Sequence, residues 1–129
     1  MKNTILIWII KLTAVVILLQ TLFFKFSGAE ESIYIFETLG IEPFGRISSG
    51  IVELIASILI LLPRTTLLGA LLALGTMVGA IVSHLFILGI EVKNDGGLLF
   101  ILASITFACS IYLILMNKSK IPDLLKLKI

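Results

Sequence analysis

Four long apolar runs divide the chain and limit its fold more than any other feature of the sequence. Each run approaches the roughly 20 residues that a membrane-spanning helix needs. They cover residues 4–26, 47–63, 65–90 and 96–117. The second run is short, but a helix that begins at Pro43 restores its length, because proline suits the first helical turn. The sequence therefore predicts an all-α integral membrane four-helix bundle, with spanning helices over about 4–26, 43–63, 65–89 and 96–117.

The composition points to the same class of protein. The chain is 59% hydrophobic over 129 residues, with a mean hydropathy of +1.19, whereas a soluble domain is about half apolar. Four spans leave no room for a second domain, so we expect residues 1–129 to form one transmembrane domain. The single cysteine, Cys109, excludes an intrachain disulfide and a thiolate metal cluster, and we expect no metal site. The lysines suit a membrane lipid surface, and we do not expect a nucleic-acid partner.

Lysine and arginine are unevenly distributed between the two sides of the predicted bundle. With four spans, both termini share one side, and six of the nine Lys and Arg residues other than Lys11 lie there. This positive-inside bias predicts a multi-pass protein of the bacterial cytoplasmic (inner) membrane with both termini in the cytoplasm. The first loop, residues 27–46, then faces outward.

The first loop is too long for a simple turn. Ser27 and Glu30 have capping-box spacing, and Ile33, Phe36 and Leu39 recur at helical intervals. We predict a short amphipathic helix over about 28–39, lying on the outer membrane surface. Such a helix could cap the bundle or act only as a connector, and the sequence favours neither.

Small residues in the third run predict close helix packing. Gly69 lies on one small-residue stripe, and Gly75 with Gly79 forms a GxxxG pair, a pattern that allows two helix backbones to approach closely. The same pattern allows a homodimer.

Glu53 is the most informative polar residue, because it stands alone inside the second apolar run. A charge near the middle of a bilayer is costly, so it normally has a partner or a function. If Arg64 and Lys11 mark the same inner interface, with Lys11 snorkelling to it, Glu53 lies roughly 16 Å and Lys25 roughly 21 Å above it. The two charges are then nearly level, and we predict an ion pair between them.

Other polar residues are predicted near this pair. Arg46, Gly50, Glu53 and Ser57 share one helix face by their spacing. His84 lies near the outer end of the third run, at the end where Asp95 opens the fourth, and Gln20 lies on the first helix. We predict a polar pocket that opens outward, with Lys25, Glu53 and His84 as candidate catalytic residues. The candidate substrate-binding residues are Gln20, Arg46, Gly50, Ser57 and Asp95. Three of the candidate residues also have a purely structural interpretation. Glu53 could form only an interhelical ion pair, His84 could be an interfacial histidine, and Arg46 could anchor the helix at the interface.

The chain resembles the DoxX family of small four-helix bacterial membrane proteins. The resemblance runs from about Lys11 to Asn117 and rests on Lys11 spaced before the segments KFSG at 25–28, FETLGIEP at 36–43, GIVELIA at 50–56, LLPR at 61–64 and GAIVSHL at 79–85. The family takes its name from a subunit of a thiosulfate:quinone oxidoreductase. The resemblance implies an oxidoreductase membrane subunit that interacts with quinone or a small sulfur compound, with a peripheral or membrane redox partner protein.

Two other classes of function fit the sequence. A small proton-coupled exporter also uses four helices and one intramembrane glutamate, although the small multidrug-resistance proteins carry theirs in the first helix. A membrane anchor or scaffold without chemistry would hold a peripheral enzyme through the basic tail that follows Asn117.

Overall fold

The fold is entirely helical over residues 2–90 and 96–117, which are the residues that the computed structural model describes. The helices are α1 Lys2–Ser27, α2 Glu30–Thr38, α3 Phe44–Leu61, α4 Thr66–Ser83 and α5 Leu98–Met116. Helix α4 continues into one π-helical turn, His84–Leu88. Helices α1, α3, α4 with its π-helical turn, and α5 are each long and apolar enough to cross a membrane, so the predicted fold class is confirmed.

The four long helices pack as a ring. Helix α3 contacts α1 and α4, α4 also contacts α5, and α5 contacts α1. The core between them is built largely from small side chains, among which Ala56, Ala70 and Ala73 are completely buried. Larger core residues such as Leu18 and Ile60 fill the remaining space. Small residues suit this bundle because they let helix backbones approach closely in a membrane, where packing rather than water exclusion holds helices together.

The α3–α4 hairpin shows where the glycines of α4 act in packing. A Cβ atom on Gly69 would lie 2.7 Å from the backbone nitrogen of Ile60 and 2.8 Å from the carbonyl oxygen of Ala56. The predicted close approach is therefore present at Gly69. A Cβ atom on Gly75 or Gly79 would meet no atom within 4 Å. The GxxxG pair thus brings no two described helices together, and the prediction of close packing there is wrong for the single chain.

The turn between α1 and α2 differs from the prediction. Ser27 ends α1, and its hydroxyl donates to the carbonyl oxygen of Phe24 at 3.3 Å. Gly28 then adopts a φ of +71°, a conformation that glycine reaches without steric cost. Helix α2 begins at Glu30 with no side-chain cap, so the predicted capping box is absent.

The other helix bounds lie within one or two residues of those predicted, when the π-helical turn is counted with α4. Helix α3 begins one residue after Pro43, for example, and α5 begins at Leu98. The basic tail after Asn117, and Asp95 at the opening of the fourth apolar run, lie outside the described residues.

Lys11 does not extend to the surface as its predicted snorkelling requires. The residue is 5% exposed, and its Nζ lies 4.6 Å from the centroid of the Trp8 ring. The side chain stays within the bundle, where the ring face attracts the ammonium group.

Candidate functional site

Lys25 and Glu53 form the predicted ion pair. Lys25 Nζ lies 2.9 Å from Glu53 Oε1, and the exposed fractions of the two side chains are 15% and 1%. The hydroxyl of Thr21 lies 2.9 Å from the carbonyl oxygen of Leu18 and 3.3 Å from the same Glu53 oxygen, so it can donate to either. The second carboxylate oxygen, Oε2, accepts no hydrogen bond from any described residue. Glu53 is therefore paired through one oxygen and leaves the other available.

Arg46 joins the same two helices by a different route. Its Nη1 donates to the backbone carbonyl oxygen of Lys25, close to the end of α1. Its Nε donates to the carboxylate of Glu42, with distances of 2.8 and 3.0 Å to the two oxygens. The guanidinium group thus supplies a second donor to a helix-terminal carbonyl, which also accepts from the Gly28 backbone N–H at 3.3 Å.

A cavity of about 510 Å³ lies beside the ion pair, within the range of small-molecule binding sites. All five helices and the π-helical turn contribute to its walls. The lining is mainly apolar, with Leu18 from α1, Val52 from α3 and Ala103 from α5 among the contributors. Three of the predicted site residues also line it: Lys25, Glu53 and His84.

Four of the predicted substrate-binding residues lie away from the cavity. Gln20 is exposed on the outside of α1. The Arg46 guanidinium is engaged as described above. A Cβ atom on Gly50 would lie 2.6 Å from the Phe26 ring, so this glycine makes room for a phenylalanine rather than a ligand. Ser57 is 2% exposed, and its hydroxyl donates to the Glu53 carbonyl oxygen in the preceding turn. The fifth, Asp95, lies outside the described residues.

Helix α2 forms one wall of the cavity, which supports the capping interpretation over the passive connector. The wall consists of Ser32, Ile35, Phe36 and Leu39. The Phe36 ring centroid lies 5.7 Å from Lys25 Nζ. Ser32 is 8% exposed, and its hydroxyl makes no hydrogen bond to any described residue.

Ser32 was not among the predicted site residues, although the sequence contains a signal for it. Ser32 shares one helical face with Phe36 and Leu39, four and seven residues later. A hydroxyl on the apolar face of an amphipathic helix therefore marked the position.

His84 is held in one orientation at the start of the π-helical turn. Its Nδ1 lies 2.9 Å from the carbonyl oxygen of Gly89. A carbonyl can only accept, so Nδ1 carries a proton, and Nε2 of the neutral ring is an acceptor. The ring also makes an edge contact with Phe100, with centroids 5.7 Å apart. The residue is 5% exposed, and Nε2 has no partner among the described residues.

Comparison with known protein families decides the classification. The DoxX family model matches residues 6–86, more than half of the chain. The chain belongs to the DoxX family. Comparisons with curated proteins and with solved structures gave no match. This matched segment runs from the first turns of α1 through α4 into the π-helical turn, so Lys25, Glu53 and His84 all fall within it, while α5 lies beyond it.

The DoxX segment thus holds groups suited to hydrogen bonding and proton exchange. Lys25 donates one N–H to Glu53 and retains two further donors, because an ammonium group carries three. Glu53 Oε2 and His84 Nε2 are acceptors without a hydrogen-bond donor among the described residues. In the part of the chain that the structure describes, no three His, Cys, Asp or Glu side chains come close enough together to hold a metal ion.

Proposed function

We propose that the chain is the membrane subunit of a redox system and binds a quinone or a small sulfur compound in the cavity. The observation that carries the proposal is the Lys25–Glu53 pair in the wall of a ligand-sized, mainly apolar cavity inside the helical bundle. A charged side chain within a membrane-spanning helix is costly, so it normally has a partner or a function. The adjoining cavity gives this pair access to a ligand.

The polar groups of the cavity suit the reduction of a quinone. A quinone takes up two electrons and two protons to become a quinol. The remaining N–H donors of Lys25 can bind a ring carbonyl, and Glu53 and His84 are titratable groups that can pass protons to its oxygens. The electrons come from the redox partner protein, which docks from solution or within the membrane. In this proposal the protein lies in the bacterial inner membrane with both termini in the cytoplasm, as the positive-inside bias predicts.

The test is quinone-dependent turnover by membranes that contain the protein and its redox partner. Glu53→Gln should lower turnover at least about tenfold, because well-placed acid–base groups contribute factors of about 100 or more. Glu42→Gln is the matched control, since that carboxylate bonds Arg46 away from the cavity, and it should leave turnover unchanged.

A proton-driven efflux assay run on the same variants distinguishes the exporter. Efflux that Glu53→Gln abolishes, with no quinone bound or reduced, would replace the redox proposal by the exporter. Loss of a bound peripheral enzyme on deletion of the basic tail, with neither activity present, would replace it by the scaffold.

A further inference from the structure

The hairpin partners α3 and α4 are in close contact at Gly69, and two further glycines lie on a different face of α4. Gly69 lies against the α3 backbone, as described above. Gly75 and Gly79 lie about 14 and 20 Å from the start of α4 at Thr66, at a rise of about 1.5 Å per residue. Both glycines line the cavity and have open space where a side chain would project. The cavity therefore reaches this exposed glycine face of α4.

The cavity is open on this side. Gly75 and Gly79 are exposed, and so is Ser48, which lines the cavity from α3. The span that contains the glycines runs from Thr66 to Leu88, so both lie near its middle. An opening at this depth faces lipid rather than water. A ligand that enters here must be soluble in the bilayer.

The charges of the cavity favour an uncharged ligand. Among the described lining residues, Lys25 is the only lysine or arginine and Glu53 is the only acidic residue, and the two form an ion pair. An anion would have to compete with Glu53 for the ammonium group, and a cation would have to compete with Lys25 for the carboxylate. A neutral molecule with a hydrogen-bond acceptor can use the remaining donors without breaking the pair.

Ser32 supplies a second donor from the α2 wall. Ser32 is 8% exposed and lines the cavity, and its hydroxyl has no described partner. A ligand acceptor at this point can therefore take its hydrogen bond without displacing a protein partner.

We infer that the cavity takes an uncharged, lipid-soluble ring compound with a carbonyl group, which enters from the bilayer between α3 and α4. Ser32 donates to the carbonyl. Gly75 and Gly79 border the opening through which the ring enters, which is called the threshold below. The inference rests on the proposed function in taking this cavity as the substrate site. It selects the ring compound over the small sulfur anion.

Binding of two matched probes to the purified protein in lipid nanodiscs tests the inference, with uptake by empty nanodiscs subtracted. Fluorenone is a flat, uncharged aromatic ketone, and fluorene is the same ring system without the carbonyl. Ser32→Ala should weaken fluorenone binding about fivefold, the value of one hydrogen bond, and leave fluorene binding unchanged. Ser49→Ala is the control, because that hydroxyl lines the cavity but already donates to the Arg46 carbonyl oxygen.

Gly79→Leu should weaken binding of both probes more than about tenfold by blocking the threshold, and Gly75→Val is a second variant of the same kind. Neither should lower the thermal stability, since a Cβ at either position meets open space. Thiosulfate and tetraphenylphosphonium, an anion and a cation, should not bind.

Each contrary result overturns the inference. These results are no fluorenone binding, equal binding by the threshold variants, an equal effect of Ser32→Ala on both probes, or binding of thiosulfate instead. So does a stable homodimer that Gly79→Leu dissociates, since a second copy would then cover the opening. Failure of the redox proposal looks different: fluorenone binding would depend on Ser32 and Gly79, but no quinone would be turned over.

Discussion

Removing either charge of the Lys25–Glu53 pair should destabilise the bundle, and by unequal amounts. Lys25→Met leaves the Glu53 carboxylate, 1% exposed, with only the Thr21 hydroxyl at 3.3 Å. Breaking a buried pair in this way costs about 3–5 kcal/mol, because the remaining charge is neither paired nor hydrated. Glu53→Gln leaves an ammonium group that is 15% exposed and retains an amide that can still accept a hydrogen bond. We expect a smaller cost there, about 1–3 kcal/mol.

The double variant separates pairing from simple burial. With both charges gone, no uncompensated charge remains, so the double change should cost at least about 1 kcal/mol less than the sum of the two single changes. Unfolding by sodium dodecyl sulfate in mixed micelles gives the free energies of all four proteins. Arg64→Gln, an exposed charge in the α3–α4 turn, is the control and should change stability by no more than about 0.5 kcal/mol.

Strict additivity of Lys25→Met and Glu53→Gln would contradict the reasoning, whatever the single values. A larger cost for Glu53→Gln than for Lys25→Met would contradict the argument from exposure but leave the pairing intact.

Three further predictions concern packing and topology. Gly69→Ala should cost about 1–3 kcal/mol in the same unfolding assay, because its Cβ would meet α3 backbone atoms, whereas Gly75→Ala should cost nothing; equal effects would contradict the described hairpin packing. Thr106→Val should be neutral or stabilising, because the buried Thr106 hydroxyl has no hydrogen-bond partner in the described part of the chain and valine keeps the shape; a loss above about 1 kcal/mol would reveal a partner. In intact cells, an impermeant thiol reagent should label Glu31→Cys but not Lys120→Cys, and the reverse pattern would invert the predicted topology.

The spanning helices and the ion pair could be predicted because both depend on distance along the chain. A helix rises about 1.5 Å per residue, so the positions of Lys25 and Glu53 relative to other charges placed them at similar depth. The estimate succeeded although one of its reference points, Lys11, is buried with its ammonium group against the Trp8 ring. Depth along a helix is a property of one segment, and sequence reports it directly.

The rest of the site depends on which helix faces which, and periodicity does not fix that. Gly50 and Gly75 are alike in sequence, yet one is filled by the Phe26 ring and the other borders open space. Arg46 shares a helix face with Glu53 but bonds the end of α1 and Glu42 instead of lining the cavity. Such outcomes are set by partners distant in sequence, which a single chain read without its fold does not disclose.

The double attachment of Lys25 to α3 has a mechanical consequence. Its side chain bonds Glu53, and its backbone carbonyl accepts from Arg46, nearly two helical turns away on the same helix. Two separated attachments resist both sliding and rotation of α1 relative to α3, so these helices behave as one rigid frame. Helix α4 and its π-helical turn carry no such double attachment among the contacts described above. Widening of the cavity is therefore expected from movement of the other elements that line it, α4 with His84 among them, rather than from α1 sliding on α3.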